Sequence, residues 1–189
     1  MKMYVSGKWI ESNQTINVVN PYDGQIVDTV PKGNSEDVDK GIQSLMDDML
    51  ETMYAAPGIG LAAIQVGIPK RVIVLDIEQK EGKKNPIYFV NPQIIKKSDV
   101  NSIYEEGCLS VPGQFAEIER PDKCHVKYLN YYGQPQEIKA EGMLATCIQH
   151  EIDHLEGILF IDYLSKLKKS MIIKKLSKHK KENIDRIVV

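Results

Sequence analysis

The 189-residue sequence is poor in cysteine and aromatic residues and has no long apolar run. Its three cysteines are an odd number, which argues against a disulfide framework and favours a reducing compartment. No segment is long and apolar enough to cross a membrane, and the first residues lack a signal-peptide core. The net charge of −2 gives no general sign of nucleic-acid binding. We therefore expect a cytoplasmic protein with no membrane partner.

The segment Gln149–His154, which reads QHEIDH, carries the strongest chemical signal. On a helix, His150 and His154 lie four residues apart on one face, where both can bind a single metal ion. Glu151 between them can transfer protons for a water at that metal. A helix that merely carries two core histidines is the alternative interpretation.

A catalytic metal site usually has a third protein ligand, and cysteine is a candidate. Cys108 follows a glycine in Glu105–Ser110, which reads EEGCLS and suggests a strand edge or a loop. For Cys108, Cys124 or Cys147 taken singly, a role as a small buried hydrophobic residue is the alternative.

A third segment, Gly58–Gly67, reads GIGLAAIQVG. It lacks the Gly-Lys-Ser/Thr ending of a phosphate-binding loop, and no clear strand precedes it. Pro57 and the glycines instead predict a tight turn that leads into an apolar segment ending in the amide of Gln65.

Together, the three segments resemble the peptide deformylase family, whose members carry GxGLAAxQ, EGCLS and QHExDHLxG in this order. Here the motifs are Gly58–Gln65, Glu106–Ser110 and Gln149–Gly157. The resemblance implies a catalytic domain over residues 42–189 with an α+β fold. In that fold, mixed or antiparallel strands surround a central helix that carries the HExxH motif.

The resemblance also implies a reaction, in which the N-formyl group is removed from the N-terminal methionine of new polypeptides and formate is released. Cys108, His150 and His154 would hold one divalent metal ion, with a water in the fourth position. We expect iron(II) in the cell, although zinc, nickel and cobalt suit the same ligands. An HExxH metallopeptidase and a non-catalytic metal-binding module are the alternatives.

Further roles follow from the same resemblance. Glu151 would pass a proton from water to the leaving amine, while the amide of Gln65 and the backbone N–H of Leu109 stabilise the formyl oxygen. The expected substrate-binding positions form the methionine pocket and its entrance: Ile59, Gly60, Glu106, Gly107, Met143, Thr146 and Cys147.

Two further positions raise questions that the sequence leaves open. Asp153 can orient a metal ligand or form an ordinary surface ion pair with Arg120. Phe115 stands where many bacterial relatives carry arginine, so this chain lacks that arginine for a contact with the substrate backbone.

The first 41 residues do not resemble a deformylase. Tyr4–Ile10 and Val18–Pro31 predict short strands, and the segment is similar to the amino-terminal arm of aldehyde dehydrogenases. We expect a β-hairpin arm over residues 1–33 and no aldehyde chemistry. A helix is predicted to begin at Ser35, with an apolar stripe at Val38, Ile42, Leu45, Met46, Met49 and Met53.

The carboxyl end is rich in lysine. A helix there would combine an apolar strip with a basic face that carries eight lysines: Lys166, Lys168, Lys169, Lys174, Lys175, Lys178, Lys180 and Lys181. An ordinary solvated helix end is one interpretation, and docking to ribosomal RNA is the other. The sequence predicts no oligomeric state.

Overall fold

The structure is a computed structural model. It describes the backbone of residues 2–5, 8–11, 15–19, 26–31, 38–79 and 84–187, and the side chains of residues 38–79 and 84–178. Among the helices of these residues, none has both the length and the apolar character needed to span a bilayer.

The amino-terminal segment contains two pairs of antiparallel strands. Strand β1 (Lys2–Val5) pairs with β2 (Lys8–Glu11), and β3 (Thr15–Val19) pairs with β4 (Ile26–Pro31). The side chains of this segment lie outside the described residues. Its resemblance to the aldehyde dehydrogenase arm and the boundary between residues 41 and 42 therefore stay predictions.

Helix α1 spans Lys40–Ala55 and begins later than the sequence suggested. The side chain of Asp39 accepts a hydrogen bond from the N–H of Ile42 at 2.9 Å and caps the helix. The prediction of helix at Val38 and Asp39 is wrong, because neither residue is helical, and Ser35 itself lies outside the described residues. The predicted apolar stripe is buried at Ile42, Met46, Met49 and Met53.

The central sheet has five strands, and every neighbouring pair is antiparallel. In spatial order they are β11 (Pro135–Glu141), β10 (Lys123–Leu129), β7 (Ile87–Lys97), β6 (Val72–Leu75) and β5 (Gly60–Ala62). A short 3₁₀ turn, Ala63–Val66, follows β5.

Strand β6 explains how the core is divided. All four of its residues are buried, and successive side chains point to opposite faces of the sheet. Val72 and Val74 pack with the apolar stripe of α1, while Ile73 and Leu75 pack with helix α2 (Gly142–Leu155). The sheet therefore lies between two helices, which is why this strand is apolar throughout.

A separate hairpin contains the cysteine segment. Strand β8 (Asn101–Cys108) pairs with β9 (Val111–Pro121). Behind it, the 3₁₀ turn Phe160–Tyr163 and helix α3 (Lys166–Ile187) form a third apolar cluster. Helix α2 contacts both this hairpin and the central sheet. The fold is thus α+β, as expected, and the described residues form antiparallel sheets and three α-helices.

Candidate metal centre

Helix α2 supplies two of the candidate ligands. Gly142 has a positive φ of 59°, which lets the chain turn sharply from β11 into the helix. His150 and His154 lie one helical turn apart, both buried, with ring centroids 4.9 Å apart. The helix therefore presents two imidazoles on the same side, as the four-residue spacing predicted.

Cys108 comes from the end of β8. The β8–β9 register shifts between Gly107 and Cys108, so that Cys108 pairs with Val111 across a short turn. The Cys108 Sγ atom lies 3.1 Å from Nε2 of His154. The candidate ligand atoms of Cys108, His150 and His154 all lie within 4.8 Å of one another.

Glu106 fixes the orientation of His150. One of its carboxylate oxygens lies 2.8 Å from Nδ1 of His150, and the Glu106 side chain is 5% exposed. Because Nδ1 is engaged, Nε2 is the nitrogen of His150 that remains for a metal. Such carboxylate–histidine pairs commonly hold a metal-binding ring in place.

The donor set fits a divalent transition metal. One thiolate and two imidazoles are ligands that iron(II), zinc, nickel and cobalt accept, and they leave a position for water or substrate. The Oε2 atom of Glu151 adjoins this group, is buried, and has no hydrogen-bond partner among the described residues. A buried carboxylate without a partner is costly unless a ligand or water completes its surroundings.

Burial and hydrogen bonds shift the pKa values of three ionisable side chains at this site. Burial raises the pKa of the Cys108 thiol, but hydrogen bonds with His150 and His154 outweigh it and lower the pKa to about 5. Burial lowers the pKa of His150, yet its bonds to Cys108 and Glu106 raise it to about 10. Burial raises the pKa of Glu151 to about 7. A metal ion binds such groups in their deprotonated forms, as thiolate and neutral imidazole.

Gln65 points its amide nitrogen at the same centre. Its Oε1 accepts a hydrogen bond from the N–H of Ala62 at 2.8 Å, which fixes the amide plane. The Nε2 atom lies 3.7 Å from Cys108 Sγ and 3.0 Å from the hydroxyl of Ser110. This nitrogen is therefore a donor directed at the space beside the thiol.

A cavity of about 500 Å³ opens onto these groups. It brings together the ligands Cys108 and His150, the catalytic candidates Glu151, Gln65 and Leu109, and the expected pocket positions. These pocket positions are Ile59, Gly60, Glu106, Gly107, Met143, Thr146 and Cys147. Its apolar rim is well exposed, with Ile59, Leu109, Met143 and Phe115 between 42% and 66% accessible.

The family profile described as polypeptide deformylase matches residues 24–170 of this chain. The chain belongs to this family. The peptide deformylase of Pelagibacter ubique is 70% identical over 149 residues, which cover 79% of this chain and 87% of that protein.

Solved structures agree with this assignment. The crystal structure of peptide deformylase from Ehrlichia chaffeensis has a TM-score of 0.75 at 40% identity and covers 90% of this chain and 99% of its own. A second structure of the Ehrlichia enzyme, in complex with actinonin, has a TM-score of 0.71 at 44% identity, with 87% and 96% coverage. Membership in the deformylase family, which is metal-dependent, favours a hydrolase of formyl groups over an internal peptidase.

Two residues, Arg120 and Tyr163, play a part in this deformylase site that was not recognised from the sequence. Arg120 is 3% exposed and binds both Glu106 and Asp153, so the idea of an ordinary surface ion pair is wrong. Tyr163 joins the same group by donating a hydrogen bond to Asp153 at 2.8 Å. Arg120 follows Ala116 and Ile118 on the same face of β9, and this was a signal available in the sequence, since unpaired arginines are rarely buried.

Gly60 offers a specific test of how tightly Glu151 is held. A Cβ atom at Gly60 would lie 2.5 Å from Oε1 of Glu151 and 2.7 Å from Leu75. We expect Gly60→Ala to displace Glu151 and lower the rate of formate release at least about 10-fold, because small misplacements of catalytic groups are costly. Formate release and metal content, measured on the same sample, check this expectation.

Gly107→Ala is the matched control for Gly60→Ala. A Cβ atom there would lie 2.5 Å from the ring of Phe115, but that ring is 66% exposed and can swing into solvent. Gly107 is itself an expected substrate-binding position, so some loss of activity is expected, but it should be much smaller than for Gly60→Ala because Glu151 is not displaced. Equal losses in the two variants would mean that crowding of Glu151 is not the cause.

Proposed function

We propose that this chain removes the formyl group from the N-terminal methionine of newly made polypeptides and releases formate. The observation that carries the proposal is the meeting of Cys108, His150 and His154 beside the buried carboxylate of Glu151, at an apolar cavity. The membership of the chain in the deformylase family supports the same reaction.

Cys108, His150 and His154 would hold one divalent cation, which we expect to be iron(II). When bound, this cation supplies Lewis acidity and lowers the pKa of water to near neutrality. The contribution of the chain is geometric: Glu106 holds the His150 ring through Nδ1, which keeps Nε2 directed towards the other ligands. Glu106 thereby acts as a positioning residue as well as a wall of the cavity.

Glu151 would act as the general base and general acid of the reaction. It accepts a proton from the attacking water and delivers it to the amine that leaves when the formamide bond breaks. Its burial in the cavity wall keeps bulk water from competing for that proton.

Gln65 and Leu109 would stabilise the negative charge that develops on the formyl oxygen. The amide of Gln65 is already oriented by Ala62, so little reorganisation is needed when the charge appears. The backbone N–H of Leu109 would be the second donor. The methionine side chain would enter the apolar part of the cavity, beside Met143, Thr146 and Cys147.

The direct test is formate release from formyl-Met-Ala-Ser under anaerobic conditions, paired with elemental analysis of the same sample. Exclusion of oxygen matters because iron(II) and a thiolate ligand can both oxidise. Stoichiometric metal together with rapid formate release is the expected result. Full metal occupancy without formate would favour a binding module, and cleavage of an internal peptide bond would favour a peptidase.

We also propose that α3 docks to ribosomal RNA near the site where nascent chains emerge. Among its described residues, Lys166, Lys168, Lys174 and Lys175 are exposed, while Ile172 is buried against the apolar cluster behind β9. The helix is therefore anchored on one side, and its exposed surface carries these lysines together with the apolar residues Leu167, Met171 and Ile173. Phosphate contacts from such a face would weaken with salt.

Replacing Lys168, Lys174 and Lys175 with Gln should weaken co-sedimentation with ribosomes about 10-fold at low salt, because three phosphate contacts are lost. Substitution is preferable to deletion, since removal of α3 would uncover Val111, Ile118 and Phe160. Sedimentation across a salt series provides the measurement.

The matched control replaces the exposed lysines Lys96, Lys97 and Lys139 of the central sheet with Gln. This variant has the same net charge as the α3 variant. If both sets of substitutions weaken sedimentation equally, the effect comes from net charge alone and the docking role of α3 is refuted.

A further inference from the structure

Arg120 joins the two elements that carry the candidate metal ligands. Its Nε and Nη2 atoms donate to the two carboxylate oxygens of Glu106 on β8, at 2.6 and 3.0 Å. Its Nη1 atom donates to Oδ2 of Asp153 on α2 at 2.6 Å. One guanidinium group therefore bridges the strand that ends in Cys108 and the helix that carries His150.

This bridge fixes the separation between β8 and α2, which none of the three metal ligands fixes by itself. Cys108 is two residues after Glu106 on β8, and Asp153 is three residues after His150 on α2. The planar guanidinium has a fixed fork of donors, so the separation of Glu106 and Asp153 has little freedom while all three bonds are made. Because Cys108 is on β8 and both histidines are on α2, the separation of these two elements determines the distance between the thiol and the imidazoles.

Tyr163 completes the arrangement from the other side of Asp153. Its hydroxyl donates to Asp153 Oδ2 at 2.8 Å, the same oxygen that accepts from Arg120. Its ring also lies 4.7 Å from the guanidinium carbon of Arg120. Tyr163 is 49% exposed, so one side of this residue faces solvent while the other contacts the buried ion pair.

We propose that Tyr163 and Asp153 are positioning residues that hold Arg120 between β8 and α2 and thereby set the geometry of the metal ligands. The connection runs from Tyr163 through Asp153 and Arg120 to Glu106, which holds the His150 ring. This inference rests on the proposed metal centre, but it does not depend on the chemistry performed there. A purely structural role would change stability and leave the metal unaffected.

The test uses Co²⁺ as the probe, because its visible absorption reports ligand geometry directly. In Tyr163→Phe the ring stays, while the hydroxyl loses the hydrogen bond that it donates to Asp153 and the one that it accepts from Nη1 of Arg120 at 3.4 Å. We expect the dissociation constant for Co²⁺ to rise about 3-fold to 10-fold in this variant, and about 10-fold to 100-fold in Asp153→Asn. The visible spectrum of the bound ion should change in both variants.

Tyr132→Phe is the matched control, since Tyr132 is 72% exposed in the turn between β10 and β11. It should leave the affinity and the spectrum unchanged. If Tyr163→Phe and Asp153→Asn only lower the unfolding temperature, with the affinity and spectrum of the unsubstituted protein, the proposal is overturned.

The result is separable from that of the proposed function. Binding and spectra of Co²⁺ require no turnover, so an unsubstituted protein that binds Co²⁺ but releases no formate would refute the deformylation alone. Conversely, normal formate release with unaltered Co²⁺ binding in both variants would refute only the positioning role.

Discussion

Replacement of Glu151 with Gln should lower the rate of formate release by about 100-fold to 10,000-fold, the usual contribution of general acid–base catalysis. The metal content should stay the same, because Glu151 does not belong to the Cys108, His150 and His154 group. Glutamine has nearly the same shape, so the cavity wall is preserved while the proton acceptor is lost. Turnover and elemental analysis of the same preparation provide the check.

The folded state should tolerate this substitution well. Oε2 of Glu151 has no hydrogen-bond partner among the described residues, so the change removes a buried charge without breaking a bond of that atom. The unfolding temperature is therefore expected to be equal or higher, which would separate loss of catalysis from loss of structure.

Glu156→Gln is the matched control, because it makes the same chemical change five residues further along the chain, outside the cavity. Glu156 follows α2 and pairs with Arg71 at 2.6 Å in an exposed position, so only a small change in stability is expected. Formate release should be unaffected. An unchanged rate in Glu151→Gln would remove Glu151 from the mechanism.

Cys108→Ala should abolish both metal binding and formate release. Sγ of Cys108 lies 3.1 Å from Nε2 of His154, and it is the one sulfur in the candidate group found among the described residues. Without it, two imidazoles remain, which is one ligand fewer than a catalytic site normally uses. Elemental analysis of the purified variant should find metal at background level.

Cys124→Ala is the matched control for Cys108→Ala. Cys124 is buried in the core on β10 and lies outside the ligand group, so its loss should cost about 1 kcal/mol of stability and leave the metal in place. Retention of metal and activity in Cys108→Ala, in contrast, would favour the HExxH peptidase interpretation, which takes a different third ligand.

Predictions from local patterns agree well with the structure. The four-residue spacing of His150 and His154 depends only on helical geometry, and the apolar stripe at Ile42, Met46, Met49 and Met53 predicts the buried face of α1. Errors occurred where the extent of a strand depends on the strand with which it pairs. Strands β8 and β9 were not predicted at their full length, because their buried positions include the charged residues Glu106 and Arg120. Their exposed positions include the apolar residues Ile103 and Phe115, so the usual apolar alternation is lost.

The sequence by itself determined the family, the order of the three motifs and the side chains available to a metal. Only the tertiary structure decided that the carboxylate of Glu106 is occupied by His150 and Arg120, and that the Arg120–Asp153 pair is buried. The physical reason is that helix and strand periodicity is set by neighbours in the chain. The meeting of Cys108 with His154, or of Arg120 with Glu106 and Asp153, depends instead on how β8, β9 and α2 pack.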